Sequence, residues 1–141
     1  MKILVADDDK DQRELYAELL SQNGYQVVEA VDGLDALEKS LQKPPDLVFT
    51  GIIMPRMDGF ELIRNLRNNV ATAVIPVIMF SHLGREEDKQ KASKLLNVHF
   101  AVKGYDSPSE ILEKVKDLLQ HKPSNLELKP EDDERQPRAM L

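Results

Sequence analysis

The sequence predicts an α/β protein built on one doubly wound, five-stranded parallel sheet. Two observations carry that prediction. Short apolar runs alternate with amphipathic segments five times along the chain, the pattern of repeated βα units. Within each short run the apolar residues are consecutive rather than alternating, as expected when helices cover both faces of a sheet. The candidate strands are Lys2–Ala6, Gln26–Glu29, Asp46–Thr50, Pro76–Phe80 and Phe100–Val102.

Helical patterns fill the intervals. In the first, Leu15, Leu19 and Tyr16, Leu20 are i,i+4 pairs forming an apolar stripe, and Gly24 follows as a C′ residue. The second starts near Asp32, carries Leu34, Leu37 and Leu41, and must stop before Pro44-Pro45. In the third, Asp58 and Glu61 have capping-box spacing, and Phe60, Ile63 and Leu66 face the sheet. The fourth, about 85–96, is polar for most of its length and is expected to be the most loosely held. The fifth opens on Ser107-Pro108-Ser109-Glu110, with a cap, a proline at N1 and a glutamate at N3. Ile111, Leu112, Val115, Leu118 and Leu119 then supply its apolar face.

A chain of 141 residues buries roughly two-thirds of its unfolded surface, enough for one independent core. Hydrophobic residues make up 41% and charged residues 31% of it, ordinary for a soluble globular domain. The formal charge of −6 argues against a nucleic-acid surface, which needs a concentrated basic face. Without cysteine there is no disulfide framework and no thiolate zinc site. The apolar run at the amino terminus is too short for a signal-peptide core, and no stretch approaches the ~20 residues that span a bilayer. The expectation is a cytoplasmic protein. From about residue 121 prolines and charge dominate, including Glu131-Asp132-Asp133-Glu134. Residues 121–141 are expected to be a disordered tail, with a linker or a docking peptide as the alternatives.

In an open doubly wound sheet, ligands collect beyond the carboxyl ends of the strands. The residues there are Asp7-Asp8-Asp9, Gly51, Ser81-His82 and Lys103-Gly104. Carboxylates suit a hard cation, while a hydroxyl and a lysine suit a phosphoryl oxygen. His82, His99 and His121 lack metal-ligand spacing and are expected to be structural or solvent-facing.

The run from Pro45 to Gly59, with Met54-Pro55 and Met57-Asp58-Gly59, resembles the third-strand signature of response-regulator receiver domains, the CheY-like switches of two-component signalling. The resemblance spans about 2–120. It implies a flavodoxin-like fold with strand order 2-1-3-4-5, and it assigns site positions. Asp7 and Asp8 match the family's acidic pair, of which Asp8 would bind Mg²⁺ directly. Ile53 matches the residue whose backbone carbonyl completes the metal site. Ser81 matches the hydroxyl residue that follows the phosphoryl group, Phe100 the aromatic rotamer switch, and Lys103 the pocket lysine. Gly51 stands where the family carries the phosphoaccepting aspartate.

That substitution removes both the nucleophile and a metal ligand. Thr50 is no replacement, because successive strand side chains point to opposite faces. Losing one carboxylate relieves repulsion, weakens Mg²⁺, and leaves Lys103 free to pair with Asp8 without metal. Gly104 replaces the family's proline after the lysine. A non-proline cis bond costs ~3 kcal/mol, so Lys103-Gly104 is either trans with a rebuilt loop or held cis by its surroundings.

The expected function is a pseudo-receiver in phosphorelay signalling, not an enzyme, acting as a monomer or weak homodimer on a sensor kinase or an output protein. It would dock through its first helix or through the face of the fourth helix, fifth strand and fifth helix. The alternative is a true phosphorylated regulator with a mutated or different acceptor, since an engineered change at residue 51 would give the same sequence. A flavodoxin-like enzyme fits least, because three acids in the first strand–helix turn repel a pyrophosphate.

Overall fold

A computed structural model of the chain describes residues 1–120, so the expected tail lies outside the described residues. Elements alternate without exception: β1 (Lys2–Ala6), α1 (Lys10–Gln22), β2 (Gln26–Ala30), α2 (Gly33–Gln42), β3 (Leu47–Gly51), α3 (Gly59–Arg67), β4 (Val77–Ser81), α4 (Glu86–Ser93), β5 (Val98–Val102) and α5 (Pro108–Gln120). All pairings are parallel and the strand order is β2-β1-β3-β4-β5. The chain therefore reverses direction across the sheet between β1 and β3, which opens a crevice above their carboxyl ends.

Strand parity divides the core in two. Leu4, Val48, Val77 and Met79 pack with Phe60, Ile63 and Leu66 of α3 on one face. Ile3, Val5, Leu47, Phe49, Ile78 and Phe80 pack with Tyr16, Leu20, Ile111 and Val115 of α1 and α5 on the other. The rings of Tyr16, Phe49 and Phe80 lie 5.0–5.4 Å apart, an aromatic cluster beneath the carboxyl end of β3.

Caps follow the sequence closely. Asp58 accepts from the Glu61 amide and Glu61 reaches back, completing the capping box. Ser107 and Glu110 exchange the same pair of bonds at α5. Gly24 follows α1 at φ +93, the left-handed conformation expected of a C′ residue.

The structure corrects several boundaries and stripes. Leu15 and Leu41 are exposed, while the polar Gln12 and Ser40 are buried in α1 and α2. Helix α4 stops at Ser93 rather than Leu96, and of its residues only Ala92 is buried. Arg67 donates to the Leu96 carbonyl at 3.1 and 2.8 Å, holding the turn that follows against α3. Strand β5 starts two residues earlier than expected, since Val98 and His99 pair with Val77 and Ile78.

Candidate functional site

Above the carboxyl ends of β1, β3 and β4 lies a cavity of about 360 Å³. Its floor is acidic. Asp7 follows β1 directly, and its Oδ1 accepts the Asp9 amide at 2.9 Å. Asp9 is also the N-cap of α1, accepting from the Gln12 amide, so the acid run both starts the helix and lines the cavity. Asp8 lines it too and is exposed. Burial pushes the Asp7 carboxyl above the usual carboxylate range; its bond from the Asp9 amide opposes this, while the Asp8 charge reinforces it.

Gly51 ends β3 beside these acids. A Cβ placed on it would stand 3.7 Å from the Asp7 Cγ and Oδ2, ordinary van der Waals contact. Glycine thus leaves room for a side chain directly against the carboxylate of Asp7. Thr50 is fully buried and gives its hydroxyl to the Gly51 carbonyl at 3.0 Å, turned away from the cavity as strand parity requires. Ile53 lines the cavity from the β3–α3 loop. Ser81 ends β4, and its Oγ accepts the amides of Leu83 and Gly84 at 3.1 and 2.9 Å, folding the β4–α4 loop over the cavity.

Lys103 and Phe100 are placed differently from the acids. Lys103 is exposed and is not among the cavity's lining residues. The expected Lys103–Asp8 pair does not form: no ion pair among the described residues involves either side chain. The Lys103-Gly104 bond is trans, with Gly104 at φ +82. The chain after β5 turns at once, with the Tyr105 and Asp106 amides bonded to the Val102 carbonyl. The ammonium remains in water, where an exposed pair with Asp8 offers little return. Phe100 is half-buried against the core face that contains Ala92 and Leu95.

One group at the rim escaped the sequence reading. Arg85, the N-cap of α4, lines the cavity; His82, placed at the strand end by the sequence and expected to be structural or solvent-facing, is exposed and lines it too. The His82 charge acts to lower the Asp7 pKa. A cation at an N-cap, where Ser, Thr, Asp or Asn is favoured, was the available signal for Arg85. It makes no side-chain capping bond.

The donor set falls short of a tight Mg²⁺ site. Asp7 and Asp8 remain, residue 51 supplies nothing, and no cluster of three or more His, Asp or Glu side chains able to hold a metal occurs among the described residues. Mg²⁺ demands near-octahedral oxygen coordination, and without a carboxylate at residue 51 the ends of β1 and β3 offer it only the acids that follow β1. No described helix is long and apolar enough to cross a membrane.

The buried cost at Asp7 gives a direct test. A carboxyl whose folded pKa is raised favours folding below the ordinary carboxylate range and loses that contribution as pH rises through the folded value. Asp7→Asn keeps an acceptor for the Asp9 amide but removes the charge. Its melting temperature should exceed that of the parent at pH 7, by on the order of 1 kcal/mol of stability. The two proteins should converge toward pH 3, and a parallel offset at all pH values would refute the assignment.

A doubly wound parallel sheet with an acid-floored cavity at its topological switch point defines a flavodoxin-like α/β domain built around a strand-end ligand site. The chain belongs to the response regulator receiver domain family, whose model matches residues 3–116. Protein PilG of Pseudomonas aeruginosa is 36% identical over 116 residues, covering 82% of this chain and 85% of that protein. The DNA-binding dual master transcriptional regulator RpaA of Synechocystis is 35% identical over 118 residues, covering 84% of this chain but only 48% of that protein. This chain therefore spans about half the length of RpaA. Among solved structures, chemotaxis response regulator CheY4 of Vibrio cholerae superposes with a TM-score of 0.76 at 27% identity, covering 83% of this chain and 97% of that one. The chain is thus a receiver domain of two-component signalling. Receiver domains are in general non-enzymatic signalling modules that work with protein partners such as kinases, and they typically bind Mg²⁺ at their acidic site.

Proposed function

We propose that this chain is a pseudo-receiver, a cytoplasmic signalling module that docks to proteins without aspartyl phosphorylation and is not itself an enzyme. The observation that carries the reading is Gly51, which ends β3 beside the buried Asp7. A hydrogen there cannot attack a phosphorus atom, and it supplies no oxygen to a metal. Mg²⁺ binding through Asp8 and the Ile53 carbonyl is accordingly weak. The positions of Ser81, Phe100 and Lys103 persist from the family's switch, but no phosphoryl group draws them together. The exposure of Lys103 supports that reading.

Docking uses α1 or the face of α4, β5 and α5, and the partner is a sensor kinase or an output protein. Exposed Leu15 on α1 supports the first surface. The net charge of −6 disfavours a nucleic-acid surface within this chain, and a monomer or weak homodimer fits such a module.

Intact mass after incubation with acetyl phosphate and Mg²⁺ tests the proposal. The mass should not change. An increment of about 80 Da that mild base removes would mean an acyl phosphate on another carboxylate, and would establish a true phosphorylated regulator instead.

A further inference from the structure

We infer that an apolar groove at the amino end of the sheet is the seat of this chain's own residues 124–128, anchored there by Leu126 and Leu128. The groove lies at the opposite end of the strands from the acidic cavity and owes nothing to residue 51. It is lined by Met1 ahead of β1, Pro45 ahead of β3, Val74 and Pro76 ahead of β4, and Leu118 and Leu119 near the end of α5. Met1 and Val74 are 54% and 56% exposed, so residues 1–120 leave this apolar surface open.

The polar groups around it are already used. Asp46 is the only charged side chain lining the groove, and its Oδ2 accepts the Lys2 amide at 2.7 Å. The Met1, Lys2 and Pro76 carbonyls accept the amides of Gln26, Asp46 and Val48 at 3.0, 2.8 and 3.0 Å. What the groove has left to offer is apolar contact. Its volume of about 160 Å³ falls well below the roughly 300 Å³ at which small-molecule sites begin. It is close to the roughly 150 Å³ that takes one small apolar ring, which suits branched aliphatic side chains rather than a cofactor.

Chain connectivity names the occupant. Leu119 lines the groove and Gln120 is the last described residue, so residues 121–141 set out from its edge. Prolines aside, Leu126 and Leu128 are the only apolar residues between positions 121 and 138. Their spacing puts both on one side of an extended segment and Glu127 on the other. The stretch from Gln120 to Leu126 reaches up to roughly 20 Å, ample for a groove that begins at Leu119. So short a tether sets an effective concentration on the order of millimolar. A weak apolar contact then suffices, whereas a second copy or a free partner must find the groove from dilute solution.

Charge is complementary as well. Lys2 and Lys43 stand beside the groove residues Met1 and Pro45 in the chain, and the Lys2 Nζ donates to the Lys43 carbonyl at 2.9 Å. Neither cation forms an ion pair among the described residues. A segment seated by Leu126 and Leu128 brings the run Glu131-Asp132-Asp133-Glu134 toward them.

The chain has no cysteine, so a nitroxide can be attached at a single introduced thiol, Glu127→Cys in the full chain, on the side facing away from the groove. Amide signals of Val74, Ile75 and Leu119 should broaden, and those of Asp8 and Ser81 at the far end of the strands should not. Leu126→Ser combined with Leu128→Ser in the labelled chain removes both anchors and should lower the docked-to-free ratio at least about tenfold, with the broadening at Val74 falling to match. Val74→Asp, at an exposed position, should do the same at Ile75 while the signals of the acidic end stay in place, which shows that the fold is kept. No broadening in the labelled chain, or undiminished broadening in either variant, overturns the inference. A further sample mixes nitroxide-labelled chain with isotope-labelled chain that carries no nitroxide. Broadening in the second chain means that the segment comes from a neighbouring copy and overturns the seat within one chain; its absence supports that seat.

Discussion

Gly51→Asp should bind Mg²⁺ at least about tenfold more tightly than the wild-type chain, because a third carboxylate joins Asp7 and Asp8 at the metal position. The space exists, since the Cβ meets Asp7 at 3.7 Å and nothing closer. In chelator the variant should be less stable, by about 1–2 kcal/mol. Two carboxylates roughly 4 Å apart repel by several kcal/mol at an effective dielectric near 20, and the open cavity screens part of that. Adding Mg²⁺ should restore the melting temperature in the variant and barely move it in the parent. With acetyl phosphate and Mg²⁺, a carboxylate oxygen of the new aspartate attacks phosphorus and acetate leaves, adding about 80 Da in a base-labile form. Thermal melts with and without Mg²⁺, paired with intact mass, read both effects. A variant indifferent to Mg²⁺ would mean that residue 51 does not occupy the family's acceptor position.

Much of this was legible in the residues themselves. Consecutive apolar runs placed all five strands to within two residues at each end, because both faces of a parallel sheet are covered. Strand parity turned Thr50 away from the site before any coordinates were needed. The strand order, by contrast, came from resemblance, as periodicity carries no information about which strands are neighbours. The stripes on α1 and α2 were only half legible. Helical spacing groups Leu15 with Leu19, yet the burial of Gln12 and Ser40 depends on how far each helix is rotated against the sheet. The placements of Lys103 and Arg85 were not legible for a related reason. Where a long cation ends depends on loop geometry, and the loops here are set by the turn after Val102 and by Ser81 drawing in the Leu83 and Gly84 amides.

Gly33→Ala should produce the largest loss of stability of any single methyl added to this chain's described glycines. A Cβ at Gly33 would stand 2.0 Å from the Met57 carbonyl oxygen and 2.7 Å from its carbon. Both are backbone atoms, so no side-chain rotation relieves the clash, and α2 must move away from the β3–α3 loop. That loop is fastened at the same place. Arg56, at φ +67, donates to Asp32 at 2.7 and 3.2 Å, and Asp32 is the N-cap of α2. Displacing α2 therefore strains the pair and the cap together. Alanine's better helix propensity recovers at most about 1 kcal/mol, against an overpacking cost of about 3 kcal/mol, the top of the usual range, plus a weakened cap of about 1 kcal/mol. A net loss of about 3 kcal/mol should lower the melting temperature by roughly 10 °C. The acid limb should change as well. The Arg56 hydrogen bond holds the Asp32 carboxyl below its usual range, so its contribution is present at neutral pH and lost as pH falls through that lowered value. If the clash pulls the pair apart, part of that acid sensitivity disappears in Gly33→Ala. Gly51→Ala, with its nearest contact at 3.7 Å, is the matched control and should melt close to the parent. Equal melting temperatures for the two variants would mean that the close approach of α2 to the Met57 carbonyl does not hold the β3–α3 loop in place.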